Sequence, residues 1–288
     1  MRYGPAGADM VLAESHSSPS FEIRVTASRI DKGFIAVPTR ACECFPSEEQ
    51  SIQVVLDDSI TVELKAFRPP GSRAKEGRIF GLGAWMHKRS VCPGDVVTVS
   101  VDDPFPGVYR IALARYLRDV EIGATRERLR TAASETDSAN HVAHLAELTR
   151  RPATAVALAE LRHAAADAAP TARPLVRASG GMRREAVPVY LRTLLGVAHR
   201  GRCQLCGFTF RRRDGQAYFE VHHLDPQGGH HPKNLLVVCA NCHAQLEEAV
   251  VADMEYNDGW LVSLRIGQRR VSVNQPLAGG RDLRAQFL

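Results

Sequence analysis

Two Cys-x-x-Cys pairs, Cys203/Cys206 and Cys239/Cys242, stand roughly thirty residues apart in the C-terminal third of this 288-residue chain. Four thiolates at that spacing suit a tetrahedral zinc site of the structural kind, which keeps no open position for chemistry. Between and beside the pairs lie Glu220-Val-His222-His223-Leu-Asp225-Pro226, Asn234 and His243. A zinc saturated by sulfur does not need these residues, so the metal is expected to hold a second, separate polar site in place. A zinc-binding module with incidental histidines is the plainer alternative, and it leaves the histidines and Asn234 without a role.

The order His-His, Asn, His, interleaved with the cysteine pairs, resembles the zinc-stabilised branch of the HNH endonuclease family, the ββα-metal nucleases, over about Arg184 to Ala249. The resemblance implies one strand from Glu220 to Leu224, a second reached through Asn234 to Val238, and a helix beginning near Asn241. Adjacent residues on a strand point to opposite faces, so His222 and His223 must do different jobs. By resemblance His223 is the general base, His222 and His243 hold a catalytic divalent ion, and Asn234 pins the loop between the strands and so orients His223. The activity implied is hydrolysis of DNA phosphodiester bonds, leaving 5′-phosphate and 3′-hydroxyl ends. With two imidazoles and no aspartate before the base, the ion expected is Mn2+, Co2+ or Ni2+ in preference to Mg2+. Glu220 and Asp225 read as solvated acids at strand ends, and His230 and His231 as loop residues.

The fold class expected for the whole chain is α+β and multidomain. Residues 20–117 alternate apolar and polar in short runs, as in Phe21-Glu-Ile-Arg-Val and Val96-Val-Thr-Val-Ser-Val, with Gly, Pro and Asp between them. That pattern predicts a β-barrel-like domain. Within it, a short helix around Trp85 followed by Pro93-Gly94-Asp95-Val96-Val97 is similar to the DNA-binding pseudobarrel superfamily, which includes effector domains of restriction enzymes. The resemblance implies two DNA-gripping arms, one carrying Arg29 and Lys32, the other Arg68, Arg73, Lys75 and Arg78. A third basic group, Arg211, Arg212 and Arg213, follows the first cysteine pair. Residues 118–180 read as a helical connector, broken at Pro152 and Pro170 and ending in a hinge, and 181–288 as the nuclease domain with its four-cysteine zinc site.

A net charge of +5 is too modest to specify a partner by itself. No stretch approaches the roughly twenty apolar residues a membrane span needs, and no signal-peptide core is visible, so a cytoplasmic protein is expected. Cys42, Cys44 and Cys92 read as free thiols. The function expected is a metal-dependent HNH endonuclease acting on double-stranded DNA, of restriction type, enzymes directed at modified bases included. Cutting both strands needs two active sites, which a homodimer supplies. The alternative is a DNA-binding protein that retains the zinc-stabilised fold without cleaving.

Overall fold

The computed structural model describes residues 19–72, 74–101, 107–168, 171–173, 175–178 and 181–279. The chain divides into two units, Met1–Glu121 and Ile122–Leu288. No helix among the described residues is long and apolar enough to cross a membrane.

In the first unit the elements are β1 (Ser20–Arg24), α1 (Ala27–Asp31), β2 (Phe34–Val37), β3 (Gln50–Leu56), β4 (Val62–Arg68), β5 (Gly77–Phe80), α2 (Gly83–Lys88), β6 (Val96–Val101) and β7 (Val108–Leu113). The strands form one sheet in the order β1-β6-β7-β3-β4-β5-β2, antiparallel except for the β3/β7 pair. Its two edge strands, β1 and β2, approach each other, so the sheet curls into the barrel-like form expected. Alternation drives the curl: Val97 and Val99 of β6 and Ile52 and Val54 of β3 point inward, joining Phe67, Ile79, Leu82 and Ile111 in one core. The Pro-Gly turn before β6 forms as its sequence demands. Gly94 takes a φ of 98°, while Asp95 Oδ2 accepts from the Cys92 amide at 2.9 Å. Buried Asp57 ties β3 to α2 by accepting from Trp85 Nε1 at 2.9 Å and Arg89 Nε at 2.6 Å.

The second unit takes up most of α3 (Ala114–Arg130), then α4 (Glu135–Thr149), α5 (Ala153–Asp167), a hairpin of β8 (Leu175–Ala178) and β9 (Gly181–Arg184), α6 (Val189–Ala198), β10 (Glu220–His223), β11 (Leu235–Val238), α7 (Ala240–Glu248) and a three-stranded sheet of β12 (Val251–Asn257), β13 (Trp260–Ile266) and β14 (Arg269–Ser272). The segment expected to be a connector is part of this unit. Val142 and Leu145 of α4 and Val156 and Leu161 of α5 share a core with Leu191, Leu194 and Leu195 of α6, and with Leu235 and Val237 of β11. Helix α6 starts at Val189, with Pro188 as its N-cap at φ −52° and ψ 141°. The expected hinge falls partly on residues outside those described; its described part pairs β8 with β9.

Strand β11 is the pivot of this unit. Its four residues are all buried, Leu235 and Val237 toward the helices, Leu236 and Val238 toward a second core with Cys203, Cys242, Leu246, Leu261 and Leu264. A strand covered on both faces needs an unbroken apolar run, which Leu-Leu-Val-Val provides.

His199, at the C-terminal end of α6, is buried, and burial pushes its imidazole down to about 4. The unfolded chain therefore takes up this proton before the folded one does. Stability is fully present above pH 6.5 and drains away as pH falls toward 4, by roughly 1.4 kcal/mol per unit and about 3 kcal/mol in all. Urea titrations from pH 7 to 4 should show this loss in the wild-type chain and a flatter profile in His199→Gln.

Candidate active site

Two antiparallel strands and a helix frame the site. Register pairs Glu220 with Val238, Val221 with Val237, His222 with Leu236 and His223 with Leu235, and α7 follows after Cys239. The four cysteine sulfurs gather beneath this frame, all within 4.8 Å of one another, with Cys206 Sγ 3.7 Å from Cys239 Sγ. Four thiolates placed tetrahedrally at the usual zinc–sulfur length stand about 3.8 Å apart, so the spacing fits the metal. Burial pushes the Cys242 thiol up, which makes an apo cluster costly to ionise; a dication at the centre reverses that cost. Cys42, Cys44 and Cys92 are free.

A second cluster draws on β10 and α7. Ligand atoms of His222, His243 and Glu247 also lie within 4.8 Å of one another, a set of two nitrogens and one oxygen suited to a divalent transition metal. The His222 and His243 rings meet edge to face, with centroids 5.1 Å apart. Burial, reinforced by His243, lowers His222 to about 4, so it is neutral at pH 7, as a metal ligand must be. Glu247 is not evident from sequence reasoning. Its signal is present as His243-x-x-x-Glu247, one helical turn, but such pairs abound on exposed helices.

Glu220 is not the solvated acid expected from its place in the chain. One of its oxygens accepts from the Tyr218 hydroxyl and the other from His243 Nδ1. The Tyr218 hydroxyl foremost, with His243 adding to it, holds the Glu220 carboxyl below its usual value. With Nδ1 engaged, His243 turns Nε2 toward Glu247 Oε1, 3.3 Å away.

His223 is buried and meets a different set of neighbours. Its Nδ1 lies 3.4 Å from Arg173 Nη1 and its Nε2 lies 3.1 Å from His230 Nδ1. Arginine only donates, so the assignment that satisfies both contacts leaves a lone pair on His223 Nδ1 and a proton on Nε2, donated to His230. Glu185 Oε2 stands 3.5 Å from His230 Nε2 without hydrogen-bond geometry, and burial lowers the His230 imidazole, in keeping with a neutral ring that accepts on Nδ1. Sequence reasoning singles out neither Arg173 nor His230 for this role. His230 reads as loop, and Arg173 lies fifty positions before His223, delivered by an antiparallel bridge between Ala172 and Gly228 and by the Arg173 amide donating to Gln227 O at 2.8 Å. His231 instead accepts from the Lys233 amide at 3.2 Å and approaches Ala165 O at 3.1 Å, a structural task.

Asn234 clamps the loop after β10. Its Oδ1 accepts from the Asp225 amide at 2.8 Å, and its Nδ2 donates to Asp225 O and Gly229 O, both at 3.1 Å. A cavity of about 490 Å³ is bordered by Arg173, His222, His223, His243 and Glu247, so residues of both sets border one space.

The basic residues expected on the two arms are less bare than their sequence implies. Arg29 pairs with Glu76 at 3.1 Å, and Arg78 lies 3.9 Å from the same carboxylate, so the two expected arms are tied together. Arg68 makes a two-pronged pair with Glu49 at 3.0 and 3.1 Å. Exposed pairs of this kind are weak enough to be exchanged for a phosphate. Lys32 and Lys75 are accessible to solvent, and Arg73 lies outside the described residues. In the second unit, Arg211, Arg212 and Arg213 are all exposed, Arg212 beside Asp214 at 3.3 Å.

Residues 203–248 match the family model described as HNH endonuclease. Curated proteins gave no match. Among solved structures, the chain aligns with an Arabidopsis FUS3–DNA complex at 19% identity, covering 32% of this chain and 93% of that one, with a TM-score of 0.29. It aligns likewise with the Arabidopsis thaliana transcription factor LEC2–DNA complex at 15% identity, 34% and 96% coverage and a TM-score of 0.29. The C-terminal segment is thus an HNH segment, and the class of function it defines is nuclease or DNA-binding.

The two clusters separate experimentally. Cys239→Ser should release about one zinc per chain and melt the region around α7, since bound zinc supplies folding free energy to small units of this kind. His243→Ala should keep that zinc. Metal analysis of the purified variants, with circular dichroism, checks both.

Proposed function

We propose that this protein is a metal-dependent DNA endonuclease whose C-terminal unit hydrolyses phosphodiester bonds and whose N-terminal unit reads a feature of the DNA. The observation that carries this reading is the shared cavity, where His223 faces the same space as His222, His243 and Glu247. His223 acts as general base: with its Nε2–H held by His230, its Nδ1 takes the proton of the attacking water once Arg173 turns from that nitrogen to the phosphate. Arg173, its guanidinium beside that nitrogen and its Nε anchored on Glu185 O at 2.7 Å, offers charge to the phosphate. Asn234 keeps the loop, and with it His223 and His230, in register. His222, His243 and Glu247 would hold the divalent ion, which when bound supplies Lewis-acid stabilisation of the charge growing on the phosphate and the leaving 3′-oxygen. Two imidazoles in that set favour Mn2+, Co2+ or Ni2+ over Mg2+, even with Glu247 adding an oxygen. The products carry 5′-phosphate and 3′-hydroxyl ends.

Plasmid nicking with added divalent metal tests the reading. His223→Ala should lower nicking by a factor of about 100 to 10,000, with zinc content and DNA affinity unchanged, because proton transfer alone is lost. Arg173→Ala should lower it about a hundredfold, with Arg173→Lys intermediate. Near-normal nicking by His223→Ala, or none by the wild-type chain in any of the four metals, defeats the assignment; the second outcome favours a DNA-binding protein that does not cleave.

A restriction-type role belongs to the same proposal. Support comes from a separate N-terminal unit with basic residues on and just after α1 (Arg29, Lys32) and at the ends of β4 and β5 and between them (Arg68, Arg78, Lys75), and cleavage of matched substrates with and without cytosine or adenine modification is its test. Replacing Lys32 and Lys75 together by Ala should weaken duplex binding and flatten its salt dependence, because a protein that neutralises fewer phosphates releases fewer counterions. Unchanged affinity and slope in fluorescence anisotropy would move the reading role away from these loops.

A further inference from the structure

Between the first cysteine pair and β10 the chain makes a small hairpin of which the two clusters use only the Tyr218 hydroxyl. Arg211 bridges Ala217, Tyr218 N donates to Phe210 O at 2.9 Å, Arg212 N donates to Gln216 O at 2.8 Å, and Gly215 turns the corner with a φ of 80°. One face of this hairpin is aromatic. The Phe210 and Tyr218 rings stack with centroids 4.9 Å apart and 19° between planes, and the Phe208 ring lies 5.9 Å from Phe210, tilted by 50°. Phe208 is 54% exposed and Phe210 47%, and neither joins any of the three hydrophobic cores. Two rings stacked and a third tilted against them, all left outside a core, form an exposed aromatic surface.

We propose that Phe208, Phe210 and Tyr218 are a stacking rail for unpaired bases of a DNA strand, and that the preferred substrate is DNA with an unpaired stretch beside the cut. The inference rests on the nuclease reading of the adjoining site. Charge selects the occupant: Arg211, Arg212 and Arg213 are exposed on the same hairpin, and arginines beside aromatic rings are the combination that tracks a phosphate backbone while stacking its bases. An apolar protein segment has no use for those three charges. Direction follows from Tyr218, whose hydroxyl donates to Glu220, which in turn holds His243. The inner end of the rail is thus two side chains from the metal cluster. Pairing state follows from geometry, since a duplex presents edges and phosphates to a protein, and a ring can cover a base face only when the neighbouring base has been taken away.

The test measures binding of the full-length protein, with its zinc content verified and no catalytic metal added, to a labelled oligothymidylate and to a duplex of equal length. The double variant Phe208→Ala, Phe210→Ala should lose about tenfold or more in oligothymidylate affinity, the usual scale for removing a base-stacking ring, with duplex affinity changed by less than about threefold. The Leu pair at the same positions should lose as much, and Phe210→Trp should retain wild-type binding. Oligothymidylate affinity absent from the wild type, a Leu pair that binds as the wild type does, or equal losses on duplex and single strand each overturn the proposal. Should the Ala pair lose zinc, the Leu pair against Phe210→Trp carries the comparison. Cleavage is not read in this assay, so normal oligothymidylate binding without plasmid nicking would sink the nuclease reading and leave the rail standing.

Discussion

Sulfur convergence between the Cys203–Cys206 knuckle and the first turn of α7 sets the position of every metal-facing side chain on the helix. At nine residues, α7 is far too short to persist on its own propensity, and its N-cap, Cys239, makes no side-chain capping bond. What anchors that end is the thiol cluster, together with Cys242 and Leu246 buried against β11 and β13. His243 and Glu247 follow on the same helix at one-turn spacing. A shift of α7 by a fraction of a turn would carry both away from His222, which is fixed independently by β10 pairing with β11. The four-cysteine cluster and the second cluster are therefore mechanically coupled while sharing no residue.

The second cluster has its own support. Tyr218 holds Glu220, and Glu220 holds Nδ1 of His243, which fixes the tautomer with Nε2 facing Glu247. A carboxylate behind an imidazole is a common way to orient a ligating histidine and raise its basicity. His222 is managed by burial instead, which keeps it neutral without a hydrogen-bonded acid. The two histidines are thus held by different means, His243 by a carboxylate and His222 by burial.

How much of this was legible depends on sequence distance. The cysteine pairs, His222, His223, Asn234 and His243 fall within one stretch whose order and spacing carry information, and the structure gathers the cysteines into one cluster and His222 and His243 into another. The strands of the first unit were visible as alternation, and the Pro93-Gly94 turn as a fixed backbone demand. Arg173 was not legible, because a lone arginine before a proline carries no periodic or motif signal and reaches His223 only through a backbone bridge. Glu220 and Glu247 were hidden by their type, since most glutamates are solvated and only a neighbouring imidazole changes that. The fate of α4 and α5 was obscured for a related reason: their apolar faces were evident, but not that β11 would present Leu235 and Val237 to the core they build.

The loop between β10 and β11 shows why one asparagine can govern two sides of the proposed base. Inside the loop, Asn234 binds the Asp225 peptide through both its amide and its carbonyl, and also Gly229 O. Outside it, the same few residues pair with 171–173, through Ala172 to Gly228 and Arg173 to Gln227. The loop is thereby compressed between a side chain and a strand-like segment, and its composition answers to that. A Cβ at Gly228 would stand 2.7 Å from Asn234 Nδ2, and one at Gly229 would stand 2.5 Å from Thr171 O. Only glycine fits at either position without displacing a hydrogen-bonding partner. The consequence reaches His223 from both flanks: Arg173 is brought to Nδ1 by the outer pairing, and His230, the residue after Gly229, is brought to Nε2 by the inner clamp. Orientation of the imidazole is then a property of the loop's backbone path, which Asn234 sets without touching the ring.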